Sequence, residues 1–157
     1  MIKKFDSRGS IILGMHDALV SLTGMIAGLF VVFSDNTIII LSCIISSITA
    51  SLSMGAANYL AVKATNKNAA LQSAFYTFIA YMATCAILVL PFFISTNRTI
   101  TMCMVLILAI LIIFGFNFFF YRKHDFTKHF LEMLSVCSIV SMIAFAIGET
   151  AKKLFGI

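Results

Sequence analysis

Residues 102–120 read MCMVLILAILIIFGFNFFF, a run in which only Cys103 and Asn117 are polar. The hydrocarbon core of a bilayer is about 30 Å thick, and a helix needs about 20 mostly apolar residues to cross it. The run is long enough to do so. It is also too evenly apolar for a strand of a membrane barrel, which alternates in polarity over about ten residues. Because only helices and closed barrels span lipid, this run predicts a transmembrane helix.

The rest of the chain has the same character. Its 157 residues are 61% hydrophobic and 11% charged, whereas soluble domains are about 45–50% apolar and 25% charged. The net charge of +5 comes from basic residues at the ends of apolar runs, so it bears on membrane topology. Nucleic-acid binding would need a continuous basic face, and none is visible. The sequence also has no apparent nucleophile–base pair or soluble catalytic loop, which argues against an enzyme.

Five segments are apolar and long enough to span the bilayer, and the links between them are short. Short links between long helices make neighbours antiparallel and leave no room for a soluble domain. The sequence therefore predicts an all-α membrane protein, with residues 1–157 forming a single transmembrane domain. The predicted helices cover residues 11–33, 37–62, 69–94, 100–121 and 130–154.

The basic residues also predict an orientation. With the N-terminus inside, eight of the 11 Lys and Arg residues fall on the inner side and three on the outer side. The positive-inside rule therefore favours a cytoplasmic N-terminus and an outer C-terminus. The inner set is Lys3, Lys4, Arg8, Lys63, Lys67, Arg122, Lys123 and Lys128, and the outer set is Arg98, Lys152 and Lys153.

Two polar stretches interrupt the first two predicted helices. Residues 14–21 read GMHDALVS, and residues 50–59 read ASLSMGAANY. An ionisable group at the bilayer centre costs roughly 2.5–3.5 kcal/mol on insertion scales, so it usually marks an ion or substrate path. Asp17 is the strongest such signal, because its carboxylate can bind a metal ion and hold a proton when the ion has left. The alternative is that a hydroxyl or basic partner satisfies Asp17, which then only orders the bundle.

The second stretch adds softer donors. Met54 lies between Ser51 and Asn58 on one face of the second helix. A thioether beside a carboxylate suits Fe²⁺, Mn²⁺ or copper better than Mg²⁺ or Ca²⁺, which prefer oxygen alone. His16 is a further candidate ligand, although it points about 100° away from Asp17 around the helix. A hydrogen-bonded histidine at a helix interface is the alternative.

Small and polar residues form a stripe along the first helix. They recur at spacings of three and four, a pattern that lets helix backbones approach closely. The stripe consists of Gly14, Asp17, Ser21, Gly24 and Gly28. We expect Ser21 and Gly24, together with Ser51 of the second helix, to line the path of the transported ion.

The link before the fifth predicted helix is also polar. It contains His124, Asp125, Lys128 and His129, most simply a solvated connection. A metal-capturing site formed by His124 and His129 is the alternative. Glu132 follows at the start of the helix, where the helix dipole favours a negative charge.

Three motifs in the chain resemble those of the vacuolar iron transporter family, whose members move ferrous iron and manganese. Residues 16–21 read HDALVS, similar to the Asn-Asp-Gly-Leu-Val-Ser run typical of that family's first helix. Residues 53–59 read SMGAANY, similar to Ser-Met-Ala-Ala-Gly-Glu-Tyr in its second helix. A later match is AFYTFIA at residues 74–80, leading to LPFF at residues 90–93.

The resemblance implies a homodimer whose first helices line a central path, with export from the cytosol coupled to inward proton movement. Asp17 and Met54 match the residues that bind the ion in that family. Asn58 stands where a Glu is usual, which removes a negative charge, and His16 replaces an Asn, which adds a candidate ligand. The acidic metal-binding domain that plant and fungal members carry between their second and third helices is absent. Here residues 63–68 form a basic link, KATNKN.

The resulting hypothesis is a dimeric transporter that carries Fe²⁺ or Mn²⁺ out of the cytoplasm as a proton antiporter. Asp17 alternates between metal-bound and protonated states, Met54 favours softer ions, and Asn58 with Ser51 adds neutral oxygen ligands. The metal is the transported substrate, and no permanently bound cofactor is expected. The expected partners are a second copy of the chain, the lipid bilayer and the metal ion. The expected location is a bacterial cytoplasmic membrane or an organellar, vacuolar-type membrane.

Two other functions fit parts of the sequence. One is a degenerate, non-transporting scaffold or accessory protein of the same fold, in which loss of the usual Glu at Asn58 has abolished transport. The other is a proton-coupled exporter of organic cations. That exporter would need an aromatic cage around Asp17, whereas the neighbouring stripe consists of Gly and Ser.

Overall fold

The computed structural model describes residues 7–120 and 126–156, and within these ranges the chain is helical with no strand. The elements in chain order are α1 (Arg8–Val32), α2 (Asn36–Lys63), α3 (Ala70–Val89), α4 (Pro91–Ile94), α5 (Arg98–Phe120) and α6 (Phe126–Phe155). Five spans in these ranges are long and apolar enough to cross a membrane, with α3 and α4 together forming the third. The prediction of an all-α membrane protein with five transmembrane helices is confirmed.

A proline divides the third span. Pro91 has no N–H to donate, so the regular helical ladder stops at Leu90, whose own N–H still donates to Ala86 at 3.3 Å. The chain then continues as the single turn α4, where Phe93 donates to the carbonyl of Leu90 at 3.0 Å. The outer faces of the bundle expose large apolar side chains, among them Phe119 at 83% and Leu154 at 76%. Such exposure is expected where lipid is the solvent.

Helix α1 lies at the centre of the bundle, packed mainly against α3 and α6. Glycine makes this packing possible. A Cβ added to Gly14 would overlap the carbonyl oxygen of Thr77 on α3. A Cβ added to Gly148 of α6 would lie 2.6 Å from the carbonyl oxygen of Gly28. The stripe of small residues predicted from the sequence therefore serves two helix contacts, one on each side of α1.

The contacts between α1 and α6 show that the two helices run parallel. Gly24 of α1 lies against Val140 of α6, and Gly28 lies against Ala144. The contacts therefore advance by four residues in the same direction along both helices. Parallel packing places the N-terminal ends of α1 and α6 at the same end of the bundle. It also brings the region around Asp17 level with the first turns of α6.

An arginine ties the opposite end of α1 to α5. The guanidinium of Arg98 donates to the carbonyl of Phe33 at 2.7 Å and to the carbonyl of Phe30. It also lies 4.4 Å from the centroid of the Phe30 ring. The last carbonyls of a helix have no partner within the helix, so this cation caps the C-terminal end of α1 and complements its dipole.

The start of α6 differs from the sequence prediction. The helix begins at Phe126 rather than near residue 130, so Lys128 and His129 lie on the helix and not in the preceding link. His124 and Asp125 lie outside the described residues. The apolar run alone could not set this boundary, because the first turn of α6 is polar and its position depends on tertiary contacts.

We predict that Gly14→Ala destabilises the fold. The added methyl group would meet the backbone of Thr77, which cannot move aside as a flexible side chain could. Overpacking typically costs about 1–3 kcal/mol, and a backbone clash belongs at the upper end of that range. Thermal unfolding in detergent micelles measures the effect. Gly115→Ala is the matched control, because nothing lies within 4 Å of its added Cβ. Equal stability of the two variants would contradict the close approach of α1 and α3.

Candidate functional site

Asp17 lies in a cleft between α1 and α6. The cleft has a volume of about 360 Å³, and among the described residues its lining comes from these two helices alone. Both Asp17 and its neighbour His16 are partly exposed to it. The lining residues are Ile12, Leu13, His16, Asp17, His129, Glu132, Met133 and Val136. The structure therefore brings the two candidate ligands of α1 together with two ionisable side chains of α6.

The contribution of α6 is a His–Glu pair near the start of the helix. His129 Nδ1 and Glu132 Oε2 are 3.1 Å apart, and the side chains are 35% and 55% exposed. Residues three apart are neighbours on a helix surface, which is why these two meet. Sequence analysis placed His129 in a link, solvated or metal-capturing with His124, and gave Glu132 a dipole interaction, but it did not place either residue in the cleft of Asp17. The spacing His-x-x-Glu at the start of an apolar helix was the available signal.

Met133 contributes a thioether to the same cleft. Its residue is 7% exposed, and its Sδ accepts a hydrogen bond from the amide of Asn117 on α5 at 3.4 Å. That amide also donates to the carbonyl of Ile113 at 2.8 Å. Asn117 therefore holds the sulfur of this cleft-lining residue in place. Sequence analysis did not select Met133, since nothing local distinguishes it from the other eight methionines.

Polar groups of α1 and α3 meet one turn beyond Asp17. The hydroxyls of Ser21 and Tyr81 are 2.7 Å apart and share a hydrogen bond. Ser21, predicted to line the path, is engaged with α3. Gly24, also predicted to line it, lies against Val140 of α6.

Asn58 belongs to a separate polar network on the α3 side of the bundle. Its amide nitrogen donates to Ser73 Oγ at 2.8 Å and to Thr77 Oγ1 at 2.5 Å. Thr77 donates to the carbonyl of Ser10 at 3.1 Å, and the hydroxyls of Ser10 and Ser73 are 2.7 Å apart. All four side chains are buried. The network joins α1, α2 and α3 through satisfied hydrogen bonds.

This network lies at the level of Ser10, whereas Asp17 is seven residues further along α1. At 1.5 Å per residue the separation is about 10 Å along the helix. Ligation of a metal by Asn58 would use Oδ1, while the amide nitrogen is the atom that makes the contacts described above. An amide suits this position better than the usual Glu, because the surrounding hydroxyls and carbonyls act as acceptors.

The remaining candidates on α2 are Ser51 and Met54. Ser51 is fully buried and donates to the carbonyl of Ile48 at 2.9 Å. Met54 is partly buried and packs against the hydrophobic core.

In the part of the chain that the structure describes, no three His, Cys, Asp or Glu side chains are close enough together to hold a metal ion. Within one protomer, the donors are therefore spread along the cleft.

We predict that Asn58→Asp destabilises the bundle. The substitution replaces the donating amide by an acceptor that faces Ser73 and Thr77, so buried acceptors lose their donor. Leaving a buried group unsatisfied costs about 1–3 kcal/mol. Denaturant unfolding in micelles measures the loss. Asn68→Asp makes the same chemical change at an exposed position, and surface changes usually stay within about 0.5 kcal/mol. A loss at Asn68 as large as that at Asn58 would count against the network.

Comparison with known proteins supports the resemblance stated above. The VIT family model matches residues 9–70, which include nearly all of α1 and the whole of α2 with both polar stretches. Comparison with curated proteins found no match. Proteins of the VIT family transport metal ions across membranes. With five candidate spans among its described residues, the chain is a multi-pass membrane protein whose residues 9–70 are similar to the VIT family.

Proposed function

We propose that the protein exports Fe²⁺ or Mn²⁺ from the cytoplasm in exchange for protons, acting as a homodimer. The observation that carries the proposal is the position of Asp17, a carboxylate inside a membrane span that faces a cleft with other metal donors. A carboxylate in this position is costly unless another group compensates its charge, and such residues usually mark an ion or substrate path. The VIT family match supports metal ions as the class of substrate.

The donor types favour borderline divalent ions. The cleft presents two imidazoles, two carboxylates and a thioether. Imidazole and thioether ligands suit transition metals, whereas Mg²⁺ and Ca²⁺ prefer sites built from oxygen alone. Met54 of α2 packs against the hydrophobic core and does not line this cleft, so its thioether remains a separate candidate ligand. This mixture supports Fe²⁺ or Mn²⁺ as the transported ion.

A homodimer would complete the ligand set. One protomer does not gather three ionisable donors at one point among its described residues. Two copies related by a twofold axis would supply two Asp17 carboxylates, which is how the proposed central path obtains its negative charge. The exposed side of α1 around Leu13 and Ser21 is the surface that would face the partner copy.

Proton coupling follows from the same carboxylate. In the metal-bound state Asp17 is ionised and its charge is compensated by the cation. Once the cation leaves, the carboxylate takes up a proton from the far side, because a bare charge at this depth is unfavourable. Each cycle then moves a metal ion outwards and protons inwards. Ser21 lies one turn beyond Asp17 on α1 and lines the next stage of the path. Its hydroxyl is hydrogen-bonded to that of Tyr81.

We predict that Asp17→Asn abolishes metal flux, because the amide can neither carry the compensating charge nor exchange a proton. Proteoliposomes loaded with a metal-sensitive dye measure the initial rate with and without an opposing proton gradient. Asp35→Asn is the matched control. Asp35 caps α2 by accepting from the N–H of Thr37 at 2.8 Å, and Asn serves equally well as a cap. Flux through Asp17→Asn equal to that of the unmodified protein would rule out the mechanism. No flux through the unmodified protein would favour the scaffold alternative.

We further predict that replacing a ligating thioether lowers the ratio of Fe²⁺ to Mn²⁺ transport, because sulfur favours the softer ion. Met54→Leu and Met133→Leu keep the side-chain volume and remove the sulfur. Met142→Leu is the control, since Met142 is 72% exposed on the outer face of α6. Competition assays with the two ions measure the ratio. An unchanged ratio in both test variants would show that neither sulfur contacts the ion.

A further inference from the structure

We propose that His129 and Glu132 form a docking site where the cation binds before it reaches Asp17. This inference rests on the proposed function and extends it to a binding step on α6. The two side chains face the same cleft as Asp17 and His16. The ligand is a divalent transition-metal ion, which imidazole nitrogen and carboxylate oxygen both bind.

The separation of the two donor atoms suits a shared ion. Donors at about 2.1 Å from a metal, and at right angles to each other, lie about 3.0 Å apart. His129 Nδ1 and Glu132 Oε2 are 3.1 Å apart. A cation that binds both atoms would replace the hydrogen bond between them, after the imidazole turns so that its lone pair points at the ion. Water molecules would complete its coordination.

The pair lies near the N-terminal end of α6, where the part of the cleft lined by this helix begins. His129 is three residues from the start of α6, and Met133, one turn further, lines the same cleft as Asp17. One helical turn is about 5.4 Å, so an ion bound by the pair has a short distance to travel to the carboxylate of α1. A site with two protein ligands binds weakly, and conduction requires binding that is strong enough to capture an ion but weak enough to release it.

The other connection at this end of the bundle offers cations no comparable attraction. Helices α1 and α2 are antiparallel, so the link at residues 63–68 lies at the same end as the start of α6. It contains Lys63 and Lys67 and no acidic residue. Glu132 thus supplies negative charge at the cleft, one turn from Lys128 on the same helix, whereas the link at residues 63–68 carries positive charge alone.

The test separates docking from the later step at Asp17. Proteoliposome transport of Mn²⁺ provides kcat and KM for His129→Gln and Glu132→Gln. We expect KM to rise about tenfold or more with kcat nearly unchanged, since even loss of a group that supports a metal ligand costs 10–100-fold in affinity. Glu149→Gln is the matched control on the same helix, and its KM should stay unchanged. A lower kcat with an unchanged KM would overturn the docking role.

Direct binding makes the test independent of transport. Paramagnetic resonance measures Mn²⁺ binding to the full chain in nanodiscs, in the Asp17→Asn background. Glu132→Gln in that background should weaken binding by about tenfold. The exchanged pair His129→Glu with Glu132→His keeps both donors and should restore it, even if a single variant folds poorly. Unchanged binding in Glu132→Gln, or no recovery in the exchanged pair, would overturn the proposal. Normal transport by Asp17→Asn would instead refute the proposed function.

Discussion

The close packing of α1 between α3 and α6 is the constraint on which the rest of the structure depends. Gly14 allows α1 to approach the backbone of Thr77, and Gly28 and Gly148 allow the equally close approach of α6. Without a hydrophobic driving force between helices in lipid, such contacts supply much of the association. Because both neighbours of α1 are held this closely, the position of α6 beside Asp17 is fixed, and Asp17 lines the cleft between the two helices.

The polar residues inside the bundle form two systems with different physical properties. Around Asn58, three helices exchange hydrogen bonds between buried side chains, and such a satisfied network favours a single rigid arrangement. Around Asp17, the side chains are only partly buried and line open space. A rigid network beside an accessible cleft is a reasonable division in a transporter, since one part must hold its geometry while the other exchanges ligands.

Hydrophobicity predicted much of the fold, and sequence motifs suggested the candidate residues. The number of spanning helices followed from the apolar runs, and the five candidate spans confirm it. The choice of Asp17 as a candidate site followed from the cost of a charge in lipid, which depends only on the residue and its depth. The neighbours of Asp17 did not follow, because His129, Glu132 and Met133 are more than 100 residues away in sequence and lie in a helix whose start was misplaced. No local pattern encodes such a long-range contact.

The sequence by itself determined that this is a helical membrane protein and that Asp17 is a site of interest, because hydropathy and the cost of burying a charge are properties of short segments. Only the tertiary structure decided which side chains share the cleft with Asp17 and that Asn58 is held by α3. Those outcomes depend on how small residues on distant helices fit together. The fit sets the register of α6 against α1, and that register places the His129–Glu132 pair in the same cleft as the carboxylate.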